Sequence, residues 1–143
     1  MIEKLPEFIG NNLFLVSLFI AVLVMLLWNL YSSALSGIKQ LAPMEVTRFM
    51  NHEHAIVLDV RKEENYKEAH ILNALNVPES DIESRKNELG KYKNKPVITY
   101  CETGTISARV AKILQAQGFE QTSCLKGGVA AWRNANLPLT KST

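Results

Sequence analysis

The chain has 143 residues, with 16 Lys and Arg against 14 Asp and Glu, a formal charge of +2 and 47% apolar residues. A chain of this length accommodates one ordinary domain, and a charge so close to balance argues against nucleic acid as a partner. Two cysteines, Cys101 and Cys124, are too few for a disulfide framework, so nothing requires an oxidising compartment.

From Phe8 to Gly37 there is no charged residue. The dense part, Leu13 to Leu30, is interrupted only by Ser17 and Asn29. As a helix it spans roughly 27 Å, close to the ~30 Å of a bilayer's hydrocarbon core. Trp28 and Tyr31 fall at one end, where amphipathic rings prefer the membrane interface. A cleaved signal peptide is the rival reading, with Ser32-Ser33-Ala34 as small residues near a cleavage point. The apolar stretch exceeds the ~7–15 residues of a signal's apolar region. The amino end also sets Lys4 against Glu3 and Glu7 and so lacks the positive start of a signal. The preferred reading is a tail over 1–11, a transmembrane helix over 12–32 and a linker over 33–37. The lipid bilayer is then a partner, and a membrane protein is a possible second one. Lys4 on one side against Lys39 and Arg48 on the other places the carboxyl-terminal domain in the cytoplasm.

Beyond Gly37 apolar runs shorten to strand length. IKQL (38–41) is a short strand, and APMEVTRFMN (42–51) a helix with Pro43 in its first position and Glu45 in its first turn. AIVLDV (55–60) is a continuous apolar strand of the kind buried on both faces. A polar stretch, RKEENYKEAH, leads to a strand at ALNVP (74–78). Pro78 and Glu79 open a helix to Leu89, with Gly90 as its stop. PVITYC (96–101) is the next strand, Ser107 to Gln117 a helix with Val110, Ile113 and Leu114 on one face, and Gln121 to Leu125 the last strand before a short helix in GGVAAWRNANLPL. Alternating strands and helices imply an α/β fold with a mostly parallel, two-sided sheet, and sites in such sheets lie beyond the strands' carboxyl ends. Asp59 and Cys101 both stand at such ends.

The loop YCETGTISA at 100–108 concentrates the chemistry. Gly104 permits a left-handed turn, Ser107 is a natural N-cap, and successive loop amides form an anion nest at a helix start. Such surroundings lower a thiol's pKa and make the sulfur nucleophilic. Spacing alone leaves a nucleophile and an inert buried thiol equally open.

LDVR (58–61), Tyr66, HI (70–71), NALNVP (73–78), the loop 101–106, LKGGVAAW (125–132) and LPL (137–139) together resemble the rhodanese domain, in order and spacing, over residues 38–140. The resemblance implies a three-layer domain around a five-stranded sheet, here of a bacterial, membrane-tethered type in the inner (cytoplasmic) membrane. It implies a sulfurtransferase in which Cys101 takes sulfane sulfur from a donor, forms a persulfide and passes it to a thiol or cyanide. Glu102, Thr103, Gly104, Thr105 and Ile106 then form the anion and persulfide cradle, supported by Asp59, Arg61 and Ser107. No cofactor or metal is implied. The related phosphatases have a longer loop ending in arginine, whereas position 107 is serine.

Several positions depart from the family pattern. Ile106 stands where many active members have arginine, and Glu102 where many have a basic or neutral residue; Asn65 and Ala69 replace an acid and a glycine. The first two predict weak turnover of anionic donors such as thiosulfate, since a charge at ~4 Å and an effective dielectric near ~20 is worth up to about 4 kcal/mol. Glu102→Ala with Ile106→Arg should restore turnover. Arg109, one turn on, is a candidate replacement charge. The alternative function is a tethered interaction module of the same fold with little catalysis.

His70 reads as a structural hydrogen-bonding residue, and His52 and His54 as a solvated turn rather than metal ligands. Cys124 is a buried strand cysteine, with a resolving thiol as the lesser reading. Trp132 reads as core.

Overall fold

A computed structural model describes residues 4–35 and 37–142 and divides the chain into two compact units, 1–37 and 38–143. In the first unit, helix α1 (Leu5–Asn11) ends at Asn12, whose Nδ2 donates to the Phe8 carbonyl at 3.1 Å. Helix α2 (Leu13–Leu35) follows. The expected tail at 1–11 is thus largely helical, and the expected linker at 33–37 begins inside α2. Leu13–Leu30 has a mean hydropathy of 2.7 and no buried residue, so α2 is long and apolar enough to cross a membrane. The side chains of residues 31–36, including Tyr31 and Ser32-Ser33-Ala34, lie outside the described part.

The second unit is built on five strands: β1 (Lys39–Leu41), β2 (Ile56–Asp59), β3 (Leu75–Asn76), β4 (Val97–Tyr100) and β5 (Thr122–Leu125). Their order is β1-β5-β4-β2-β3, every pairing parallel. The helices are α3 (Pro43–His52), α4 (Glu63–Glu68), α5 (Lys86–Leu89), α6 (Thr105–Ala116) and α7 (Gly128–Asn134). Glu45 caps α3 by accepting from the Ala42 amide at 2.8 Å.

Strand alternation sorts the apolar residues into two cores, one on each face of the sheet. Val57, Ile98 and Tyr100 join Leu41, Val46, Ile71, Leu125, Val129 and Trp132. Leu58, Val97 and Cys101 join Val110, Leu114 and Phe119 beside α6. β4 is buried throughout, as its continuous apolar run requires.

Three local expectations differ from the structure. The polar stretch before His70 contains α4, a six-residue helix whose lack of an apolar stripe hides it from periodicity. The helix expected over 78–89 is a 3-10 turn at Glu79–Asp81 followed by the single turn α5. The α-helix ends at Leu89 with Gly90 as its C-cap, as expected, but Gly90 is right-handed (φ −54°, ψ −30°) and carries the chain into a further 3-10 turn, Gly90–Tyr92.

The strand order fixes where a site can form. From β2 the chain builds outward to β3, then returns to the other side of β2 for β4. The connections leaving the carboxyl ends of β2 and β4 therefore diverge and open a crevice between them. Asp59 pairs with Tyr100 in the β2–β4 register, so Asp59 and Cys101 flank that crevice.

Candidate active site

Cys101 is the first residue beyond β4 and is 2% exposed. The chain turns at Gly104, where φ is +99°, and α6 starts at Thr105. Gly104, not Ser107, is therefore the N-cap. Ser107 lies inside the first turn, where its hydroxyl donates to the Gly104 carbonyl at 3.1 Å. The loop folds around the sulfur: the Gly104 amide donates to Sγ at 3.0 Å and the Ser107 amide at 3.4 Å, with Ser107 Oγ 3.5 Å away. Burial alone would push the Cys101 thiol up, but the Ser107 hydroxyl and the amides of Ser107, Gly104 and Thr103 outweigh it and hold the thiol below its ordinary value.

The start of α7 fixes the other end of the loop. The amides of Val129 and Ala130 donate to the carbonyls of Cys101 (2.9 Å) and Glu102 (3.2 Å). This approach is the reason for Gly128. Its φ is +63°, and a Cβ there would lie 2.4 Å from the Cys101 oxygen and 2.5 Å from that of Glu102.

Asp59 is fully buried at the end of β2. Arg61 lies over it, Nε at 3.1 and 3.2 Å from the two carboxylate oxygens and Nη2 at 2.7 Å from Oδ2. Nη2 also donates to the Ala69 carbonyl at 2.7 Å. Burial works against the Arg61 charge, but Asp59 overcomes it and raises the guanidinium's pKa further. Burial and the Asp59 carboxylate push the neighbouring Tyr100 hydroxyl up, so it stays neutral and accepts from the Ile71 amide at 3.1 Å.

A cleft of about 420 Å³ opens above the sulfur, lined by Val60, Arg61, Lys62, Pro78, Cys101 and Ile106, with Asn65, Glu79, Ser80 and Glu102 completing the wall. Ile106 is 39% exposed on its rim. Of the predicted site residues, Arg61, Cys101, Glu102 and Ile106 line this cleft, and Asp59 lies buried beneath Arg61. Thr103, Gly104 and Thr105 turn partly to a second cavity of about 300 Å³ behind the loop, shared with Cys124 and Lys126.

The electrostatics differ from expectation. Glu102 does not face the sulfur as an isolated charge: Oε2 is 3.3 Å from Arg61 Nη1 and Oε1 is 3.4 Å from Arg133 Nη1. Arg133 carried no signal in the sequence, because its partner lies 31 residues away. Arg109 does not supply the replacement charge, since it pairs with Glu79 at 2.5 Å.

His70 is buried, its Nδ1 2.7 Å from the Tyr66 carbonyl and its ring stacked on Tyr66 at 3.8 Å. Trp132 is buried and donates to the Pro138 carbonyl at 3.0 Å. His52 ends α3 in solvent, and His54 follows in a positive-φ turn. Cys124 is buried on β5 beside β4, and burial, then the neighbouring Cys101, raises its thiol above the ordinary value.

Comparison with known proteins agrees with this geometry. Residues 42–135 match the family described as rhodanese-like domain. The chain is 35% identical over 140 residues to the protein YibN of Escherichia coli (strain K12), covering 97% of this chain and 98% of that one. It is 33% identical over 95 residues to the thiosulfate sulfurtransferase GlpE of Coxiella burnetii, covering 66% of this chain and 87% of GlpE. The crystal structure of a rhodanese-related protein from Thermoplasma volcanium superimposes with a TM-score of 0.66 at 21% identity, over 73% of this chain and 99% of that one, and shares its fold. A five-stranded parallel sheet, a thiol cradled at its switch point and a match over most of the folded unit have one common explanation: the chain belongs to the rhodanese-like domain family.

Proposed function

We propose that the protein is a membrane-anchored sulfurtransferase of the rhodanese type. The observation that carries this reading is the Cys101 sulfur itself, seated under an open cleft and receiving two backbone amides. Hydrogen-bond donors of this kind favour the thiolate, which is the attacking form. Cys101 attacks the sulfane sulfur of a donor. The new S–S bond forms as the donor's bond to that sulfur breaks, and the leaving group departs with its electron pair. The outer sulfur of the persulfide is an anion, favoured by the amide-rich loop 102–106 and the start of α6. A thiolate or cyanide acceptor then attacks that outer sulfur and returns the electron pair to Cys101 Sγ. Asp59 and Arg61 hold the opposite rim and Ser107 the loop.

The helix α2 anchors the chain in the inner membrane with the catalytic domain on the cytoplasmic side, a reading supported by the apolar length of Leu13–Leu30 and by Lys39 and Arg48 beyond it. A reporter fused after Thr143 tests the orientation.

The chemistry is tested by mass spectrometry of the full chain in detergent after incubation with a sulfane-sulfur donor. The expected result is the gain of one sulfur atom on Cys101 that is absent in Cys101→Ser. No gain with inorganic or organic donors, together with full cellular function of Cys101→Ser, selects the tethered interaction module instead.

A further inference from the structure

Glu102 stands between two guanidinium groups at nearly equal distances, 3.3 Å from Arg61 and 3.4 Å from Arg133. The two seats differ in kind. The Arg61 side chain is 5% exposed and its Nε and Nη2 are committed to Asp59 and the Ala69 carbonyl, so Nη1 is the nitrogen left to serve the cleft. Arg133 sits on α7, its side chain 49% exposed, and makes no other ion pair among the described residues. Glu102 itself is 53% exposed and follows the nucleophile directly, so rotation of its side chain moves a full negative charge across the mouth of the cleft without moving the loop backbone. The loop backbone is pinned independently by the Val129 and Ala130 amides.

We propose that Glu102 is an internal anion that occupies the Arg61 edge of the cleft, and that Arg133 is a positioning residue offering it a second seat. An anionic sulfur donor competes with Glu102 for Arg61 Nη1, and Arg133 takes up the displaced carboxylate. A donor or acceptor carrying no charge near its reacting sulfur enters without that exchange, against a mouth where Glu102 is already neutralised. The pair thereby sets how strongly the site discriminates between anionic and uncharged reagents. The proposal rests on the sulfurtransferase reading for its biological meaning, but the electrostatic device is present at Cys101 whatever the reaction.

The test therefore uses alkylation of Cys101 rather than sulfur transfer. Iodoacetate carries a carboxylate and iodoacetamide does not, and both form the same kind of thioether. The full chain with Cys124→Ser is treated with each, and the ratio of the two Cys101 rates is measured. The ratio cancels changes in thiolate fraction and in general accessibility, which a merely structural role would move. Glu102→Gln is expected to raise the iodoacetate to iodoacetamide ratio by roughly three- to tenfold, the size appropriate to a half-exposed charge near the sulfur. Arg133→Gln leaves Glu102 on Arg61 alone and lowers the ratio by roughly threefold. Raised salt shrinks both effects. In Glu102→Gln/Arg133→Gln the Arg133 substitution loses most of its effect, because the charge it positioned is gone. An unchanged ratio in both single variants, or an Arg133→Gln effect that persists in full without Glu102, overturns the proposal. Sulfur loading measured in parallel on the wild type separates the two ideas: absence of loading with an intact ratio effect removes the proposed activity and leaves the gate standing.

Discussion

Replacing Gly128 by alanine tests whether the approach of α7 to the cysteine loop holds the site together. A Cβ at 128 meets the Cys101 oxygen at 2.4 Å, the Glu102 oxygen at 2.5 Å and the Glu102 carbonyl carbon at 2.6 Å. These distances are about 1 Å inside ordinary contact, and the atoms are backbone, with no side chain to swing away. A φ of +63° also costs an L-residue about 1–2 kcal/mol. Forced displacement of packed backbone adds about 1–3 kcal/mol. The sum, about 2–5 kcal/mol, lowers Tm by roughly 10 °C or more for a domain of this size. Because the strain falls on the carbonyls of Cys101 and Glu102, sulfur loading at Cys101 slows as well. Gly90→Ala is the control: its φ is −54°, nothing lies within 4 Å of its Cβ, and it is neutral or stabilising by about 0.4–1 kcal/mol. Thermal unfolding by circular dichroism and sulfur loading by mass spectrometry read both effects. A Gly128→Ala protein that melts within about 2 °C of the wild type and loads sulfur at its rate refutes the reasoning.

Ser107→Ala removes the hydroxyl 3.5 Å from Sγ while keeping both amides; losing that hydrogen bond, worth roughly 1 kcal/mol, raises the Cys101 thiol's pKa. Iodoacetamide alkylation of the wild type follows the thiolate and climbs at lower pH than for an ordinary thiol, because the hydrogen bonds depress the folded value. The variant's curve moves to higher pH. The same depression means that the thiolate's contribution to stability is present above the unfolded pKa and is lost as pH falls through the folded one. Asp59→Asn strips the partner from the buried Arg61 guanidinium and costs about 3 kcal/mol in urea unfolding; a loss below about 1 kcal/mol would show that Glu102 and the Ala69 carbonyl suffice for it. Ile106→Arg adds a cation to the rim of the cleft and raises thiosulfate turnover by about tenfold. In combination with Glu102→Ala the two gains add only in part, because both substitutions change the charge at one cleft mouth, where Glu102 pairs with two arginines.

A loop without a basic residue reads as leaving Glu102 uncompensated, but the compensation comes from Arg61 and Arg133, 41 and 31 residues away. Pairwise electrostatics between distant positions leave no periodic trace, whereas helices and strands do. As a pair, Asp59 and Arg61 are legible through the resemblance of LDVR to the family, and the bond from Arg61 to the Ala69 carbonyl leaves no trace in the sequence.

The amino-acid order alone determined what depends on local period and composition: an apolar helix of membrane-spanning length, the alternation that makes a parallel two-sided sheet, and a glycine-turned loop that can present amides to a cysteine. These follow from the backbone's need to satisfy its own hydrogen bonds and from burial of whichever residues recur on one face. Only the tertiary structure decided the start of α6 at Thr105, the short turns between Glu79 and Tyr92, the place of Asp59 beside Cys101 at the switch between β2 and β4, and the clasp of Arg61 and Arg133 on Glu102. Each depends on contacts between segments remote in the chain. Their energies are set by distance and burial in the folded protein, which no window of sequence contains.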